Sequence, residues 1–89
     1  MDAPLTVHAR ARMQQRGIRA EALERLLEFG REAFDHRGNV VLYFDKAARR
    51  RLARTAPRDI EGTARCYAVV SGQGAVVTVG HRYRRINRC

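Results

Sequence analysis

Apolar positions recur every four residues at the start of the chain and every two residues towards its end. Leu5, Ala9 and Met13 make one stripe of a helix that Thr6 can cap and that runs to about Arg16. Gly17 supplies the left-handed residue that stops it. A second helix is predicted from about Ala20 to Phe29, with Ala22, Leu23, Leu26 and Leu27 as its buried face and Gly30 as its end. Glu21 and Glu24 sit in its first turn, where the helix dipole favours acids, but no Ser, Thr, Asp or Asn precedes it as a cap. The period then changes to two. Ala33 to His36 and Val40 to Phe44 read as a hairpin around Arg37-Gly38-Asn39.

Asp45 can cap a third helix from Lys46 to about Arg54, which offers only Ala47, Ala48, Leu52 and Ala53 to a core. Thr55 to Thr63 reads as a loop or a broken helical turn. Arg65 to Ser71 and Ala75 to about Arg82 read as two strands joined by Gly72-Gln73-Gly74. The order α-α-β-β-α-β-β predicts one α+β domain spanning 1–89, with the N-terminal helices packed on a mostly antiparallel four-stranded sheet. The expected core is Leu5, Met13, Leu23, Leu26, Leu27, Val40, Leu42, Phe44, Tyr67, Val69, Val77 and Val79.

Charge changes this picture from a bland small domain to one with a partner. Residues 1–45 carry seven arginines and seven acids. Residues 46–89 carry eleven basic residues and two acids, which is the whole of the net charge of +9. Such asymmetry points to a polyanionic partner. Seventeen of the eighteen basic residues are arginine, whose planar fork suits phosphate better than the point charge of lysine. No apolar run approaches the roughly 18 residues of a membrane span, and no basic-then-apolar leader opens the chain, so no membrane partner and a cytoplasmic location are expected. Two cysteines, Cys66 and Cys89, make no disulfide framework.

The basic residues fall in three places. In the first helix His8, Arg12 and Arg16 recur every four residues, bordering the apolar stripe. In the third, Lys46, Arg49, Arg50, Arg51 and Arg54 repel one another, a cost that a bound polyanion relieves. At the end of the fourth strand, His81, Arg82, Tyr83, Arg84 and Arg85 follow the β-branched run Val76-Val77-Thr78-Val79. A strand that leaves the core into such a cluster carries its donors on a rigid base.

The run His8-Ala-Arg-Ala-Arg12-Met13-Gln-Gln-Arg16-Gly17-Ile18 resembles the H-x3-R-M-x2-R-G-I opening of a small bacterial family of domains of unknown function. That family tends to end on a strand like Val76–Val79 followed by basic residues, and it is similar to the RelE/ParE-like toxins of toxin–antitoxin pairs. The resemblance covers nearly the whole chain. It implies a RelE-like sheet packed by helices, binding to RNA or the ribosome, an acidic antitoxin as partner and, in the ribonuclease members, mRNA cleavage without a metal.

Metal-free RNA cleavage needs a base for the 2′-OH, cations for the crowded phosphorane and an acid for the leaving oxygen. His8 and His81 are the candidate proton-transfer groups, and Arg12, Arg16 and Arg82 the candidate phosphate clamps. Arg49, Arg50, Arg51, Arg54, Arg84 and Arg85 are candidate backbone contacts, and Tyr83 can stack on a base. His36, beside a turn, reads as a surface residue. The histidines and cysteines show neither C-x2-C nor H-x3-H spacing, and no Gly-rich phosphate loop occurs, so neither a metal nor a cofactor is expected. Three functions remain open on this evidence: a toxin-like ribonuclease acting on mRNA, a non-catalytic RNA- or ribosome-binding module, and a ParE-like toxin acting on a protein target.

Overall fold

The computed structural model describes residues 4–55 and 60–82. Tyr83, Arg84 and Arg85 lie outside the described residues, as do Arg58 and Cys89. The order is α1 (Val7–Arg16), α2 (Ala20–Phe29), β1 (Arg31–Phe34), β2 (Val40–Tyr43), α3 (Lys46–Thr55), the single turn α4 (Ile60–Thr63), β3 (Cys66–Val70) and β4 (Val76–His81). The α-α-β-β-α-β-β order read from the sequence is therefore the observed one, with α4 the broken turn in the last long connection. The four strands form one antiparallel sheet in the order β1-β2-β3-β4.

Local chemistry sets most boundaries. The Thr6 hydroxyl accepts from Ala9 N–H at 3.1 Å, and Gly17, at φ 65°, turns the chain out of α1. Asp45 Oδ1 accepts from Ala48 N–H at 2.8 Å and opens α3. The first hairpin turns one residue earlier than expected. Asp35 Oδ1 accepts from the N–H groups of Arg37 and Asn39, both at 2.8 Å, and Oδ2 accepts from the Asn39 amide at 3.1 Å. The carboxylate thus takes over the donors of the turn, and β1 ends at Phe34.

These bonds hold the Asp35 carboxyl below its ordinary pKa, chiefly through the Asn39 N–H, with partial desolvation opposing and Arg37 N–H adding. The folded value lies below the unfolded one. The turn's contribution is therefore full above the unfolded value of about 4 and is lost as pH falls through the folded value. Amide signals of Arg37 and Asn39 should follow one acidic transition below about pH 4, and Asp35→Asn should abolish it.

One core joins the elements. Ala9 and Met13 of α1, Ala22, Leu23 and Leu26 of α2, and Ala48 and Leu52 of α3 pack with Leu42, Phe44, Cys66, Ala68, Val76 and Val79. Leu5, Leu27, Val40 and Val70 pack against its border. The expected core is corrected at three positions. Tyr67, Val69 and Val77 are not in it, and Cys66, Ala68 and Val76 take those places. On β3 the helices pack so closely that the small alternate residues face them and the large ones are turned outward. On β4 a register irregularity opposite Val69 and Val70 brings Val76, rather than Val77, into the helix-side row. All described helices contribute their buried side chains to one face, so Val41, Tyr43, Tyr67, Val69, Thr78 and Gly80 belong to the other.

Candidate nucleic-acid interface

The outward face carries a row that crosses the whole sheet. Arg31 on β1 stands opposite Tyr43 on β2, Tyr43 opposite Tyr67 on β3, and Tyr67 opposite Gly80 on β4. At strand spacings of about 4.8 Å the row is roughly 14 Å long. Its last position has no side chain of its own, and Arg16 fills it from α1. Arg16 Nη1 donates to Val79 O at 3.3 Å, so the guanidinium passes around the edge strand. A Cβ built on Gly80 would collide with that Nη1 and lie 2.9 Å from Tyr67 Cε1. The glycine is the gap through which Arg16 reaches the outward face beside the Tyr67 ring. Gly80→Ala must displace both neighbours. We expect it to lower stability by about 1–3 kcal/mol, read from the denaturant midpoint, and to release Arg16 from Val79.

Arg82 extends the row at its Tyr43 end. Its Cζ lies 5.1 Å from the Tyr43 ring centroid, and its Nη2 donates to Phe44 O. Its Nε is buried and has no acceptor among the described residues. Desolvation lowers the Arg82 pKa, and the charge of Arg49 lowers it further, while Tyr43 and Asp45 oppose the shift. Arg49 of α3 and Arg82 therefore repel each other. Asp45 partly offsets the cluster, with Oδ2 3.8 Å from Arg31 Nε. A guanidinium held over an aromatic ring within the field of a second arginine suits an anion.

The sequence candidates thus divide. Arg16 and Arg82 meet the tyrosine row, and the charge of Arg49 acts on Arg82. His8 and Arg12 form a pair of their own on α1, where Arg12 Nε donates to His8 Nε2 at 3.4 Å. They sit towards the start of α1, which is tied to β4 at Val77 by the Thr6 hydroxyl, and His8 is about 12 Å along the helix from Arg16. His81 stands on the other face. Strand alternation sends it to the helix side of β4, opposite Cys66, while Arg82 turns outward. The structure therefore does not bring His8 and His81 to one phosphate. Arg50, Arg51 and Arg54 are exposed on α3. Among the described residues no three of His, Cys, Asp and Glu are grouped to hold a metal, and no helix is long and apolar enough to cross a membrane.

Arg31, Tyr43, Tyr67 and Gly80 were not singled out from the sequence. Only the period-two alternation of β3 and β4 carried a signal for them, and it needed the inward face to be known. The family model for a domain of unknown function, DUF4258, matches residues 5–81, and the chain belongs to that family. No curated protein and no solved structure matches it.

Proposed function

We propose that this DUF4258 domain binds RNA across the outward face of its sheet, as a toxin-like RNA-binding domain whose target is mRNA or the ribosome. The observation that carries the reading is the row Arg31–Tyr43–Tyr67–Gly80, with Arg16 filling its Gly80 end and Arg82 lying over Tyr43. The half-buried Tyr67 ring gives a flat surface on which an unpaired base stacks, Tyr43, 3% exposed, backs the row beneath Arg82, and the flanking arginines meet the phosphates. A single-stranded ligand suits this better than a duplex, whose bases are already stacked. The charge excess of residues 46–89 adds a sequence-independent attraction on which the row confers position. An acidic antitoxin that covered the same arginines would compete with RNA.

The test is a salt series of binding to a short single-stranded RNA and to the duplex of the same sequence. Single-strand binding that weakens linearly in log salt, with the slope reduced by about one on Arg49→Gln, supports the reading. Equal binding of strand and duplex, with no effect of Arg49→Gln, contradicts it.

Metal-independent cleavage is a second reading, and the His8–Arg12 contact favours it. Arg12 Nε donates to the imidazole Nε2 at 3.4 Å, which sets a candidate proton-transfer group beside a cation. In this reading His8 takes the 2′-OH proton, Arg12 beside it holds the phosphate, and the leaving 5′ oxygen takes its proton from water. Induction of the protein should then degrade mRNA in the presence of chelator, and His8→Ala should slow cleavage about 10²–10⁴-fold. Intact mRNA alongside retained RNA binding leaves the domain a non-catalytic module.

A further inference from the structure

On the helix side of the sheet, away from the tyrosine row, a cavity of about 330 Å³ opens between the start of α2, the last turn of α4 and the ends of β3 and β4. We propose that this cavity binds a small organic anion, whose charged group is held by the opening N–H groups of α2, by Arg19 and by His81, with the Thr63 hydroxyl as a further donor. The proposal is independent of RNA binding, because none of these groups belongs to the outward row.

Size comes first. A cavity of about 150 Å³ accommodates benzene, and small-molecule sites begin at about 300 Å³. The space here suits a molecule of one ring with a substituent. Its floor is apolar where Ile18 and Ala22 contribute, both buried in the core.

The polar groups around it lack partners. Thr63 is 7% exposed and lines the cavity, yet its hydroxyl has no hydrogen bond among the described residues. A ligand oxygen in the cavity offers that hydroxyl an acceptor. His81 also lines the cavity with no hydrogen-bond partner among the described residues. The cap residue of α2, Arg19, makes no side-chain cap, so the N–H groups of Ala20 and Glu21 open towards the same space without one. A ten-residue helix carries its positive pole there.

Geometry aligns the wall. Arg82 N–H donates to Arg65 O at 2.7 Å, which makes residues 65 and 82 a hydrogen-bonded pair. The next pair, Cys66 and His81, is then a non-hydrogen-bonded one, the kind whose side chains stand closest. Cys66 is 2% exposed, its thiol points to Gly62 O at 3.5 Å, and burial raises its pKa. It is a neutral wall beside His81 rather than a competing anion. Among the described residues Glu21 is the one carboxylate lining the cavity, and Arg19, which also lines it, carries the opposite charge.

The experiment titrates the full chain with benzoate and, separately, with its neutral isostere benzamide, and follows backbone amide and imidazole NMR signals. Benzoate should give saturable shifts at Glu21, Thr63 and His81, with benzamide at least about tenfold weaker. Thr63→Val keeps the shape and removes the hydroxyl, and should weaken benzoate about five- to tenfold. If that variant does not fold, the exposed Arg19→Gln should weaken benzoate in the same direction. Equal binding of benzamide, no saturable response to benzoate, or shifts that follow the arginines of α3 instead would overturn the proposal. RNA binding is unaffected in either outcome, so the two readings fail separately.

Discussion

Tyr67→Leu is expected to weaken binding to single-stranded RNA by about 5–150-fold while leaving the domain folded. The range is the roughly 1–3 kcal/mol that one base-stacking aromatic contributes. Tyr67 is half-buried and outside the helix core, so leucine keeps the apolar contact with its sheet neighbours and removes only the ring face. Salt dependence separates this effect from a loss of charge. Tyr67→Leu should shift affinity at every salt concentration and leave the slope unchanged, whereas Arg49→Gln should reduce the slope by about one. A Tyr67→Leu protein that binds like wild type would remove the ring from the interface.

The second large effect is on stability. Phe44 is fully buried and follows β2, where it joins the sheet to α3. Phe44→Ala should cost about 3–5 kcal/mol, the sum of lost transfer energy and the cavity left behind. A domain of this size has a total of only about 4–13 kcal/mol, so much of the protein should be unfolded at 37 °C. Chemical denaturation of the purified variant measures it directly. The Arg82 acceptor at this position is the backbone carbonyl, which alanine keeps, so the variant removes the ring and not that bond.

Much of the fold was legible because it is locally encoded. Thr6 and Gly17 bracket α1, Asp45 opens α3, and the glycine-rich Ser71–Ala75 turn joins the last two strands; each is decided by residues within five of it. The site was legible only in part, because it is built from register. Arg31 reads as a residue before a strand, and Tyr43 as a position of the second strand outside the expected core. Nothing local states that both meet Tyr67, more than twenty residues on, in one row across the sheet. The expectation that Tyr67 and Val69 point inward follows size, since larger apolar side chains usually fill a core. Here close helix packing selects Cys66 and Ala68, and the larger pair is released to the outward face. That inversion takes Tyr67 and Val69 out of the expected core and puts them on the face proposed to bind RNA.

The division of His81 from Arg82 was available from alternation alone, since neighbours on a strand point to opposite faces. A single catalytic cluster drawn from consecutive residues of β4 overlooks it. Arg16 is the opposite case. It belongs to a helix on one face and acts on the other, and only the absence of a side chain at Gly80 permits it.

The most direct measurement is a backbone and side-chain NMR titration of the wild-type protein with a short single-stranded RNA. The account predicts that the largest shifts fall on Arg31, Tyr43, Tyr67 and Gly80, with the guanidinium signals of Arg16 and Arg82 moving alongside them. Shifts confined to Arg50, Arg51 and Arg54 on the exposed side of α3, with the tyrosine row unmoved, would contradict it.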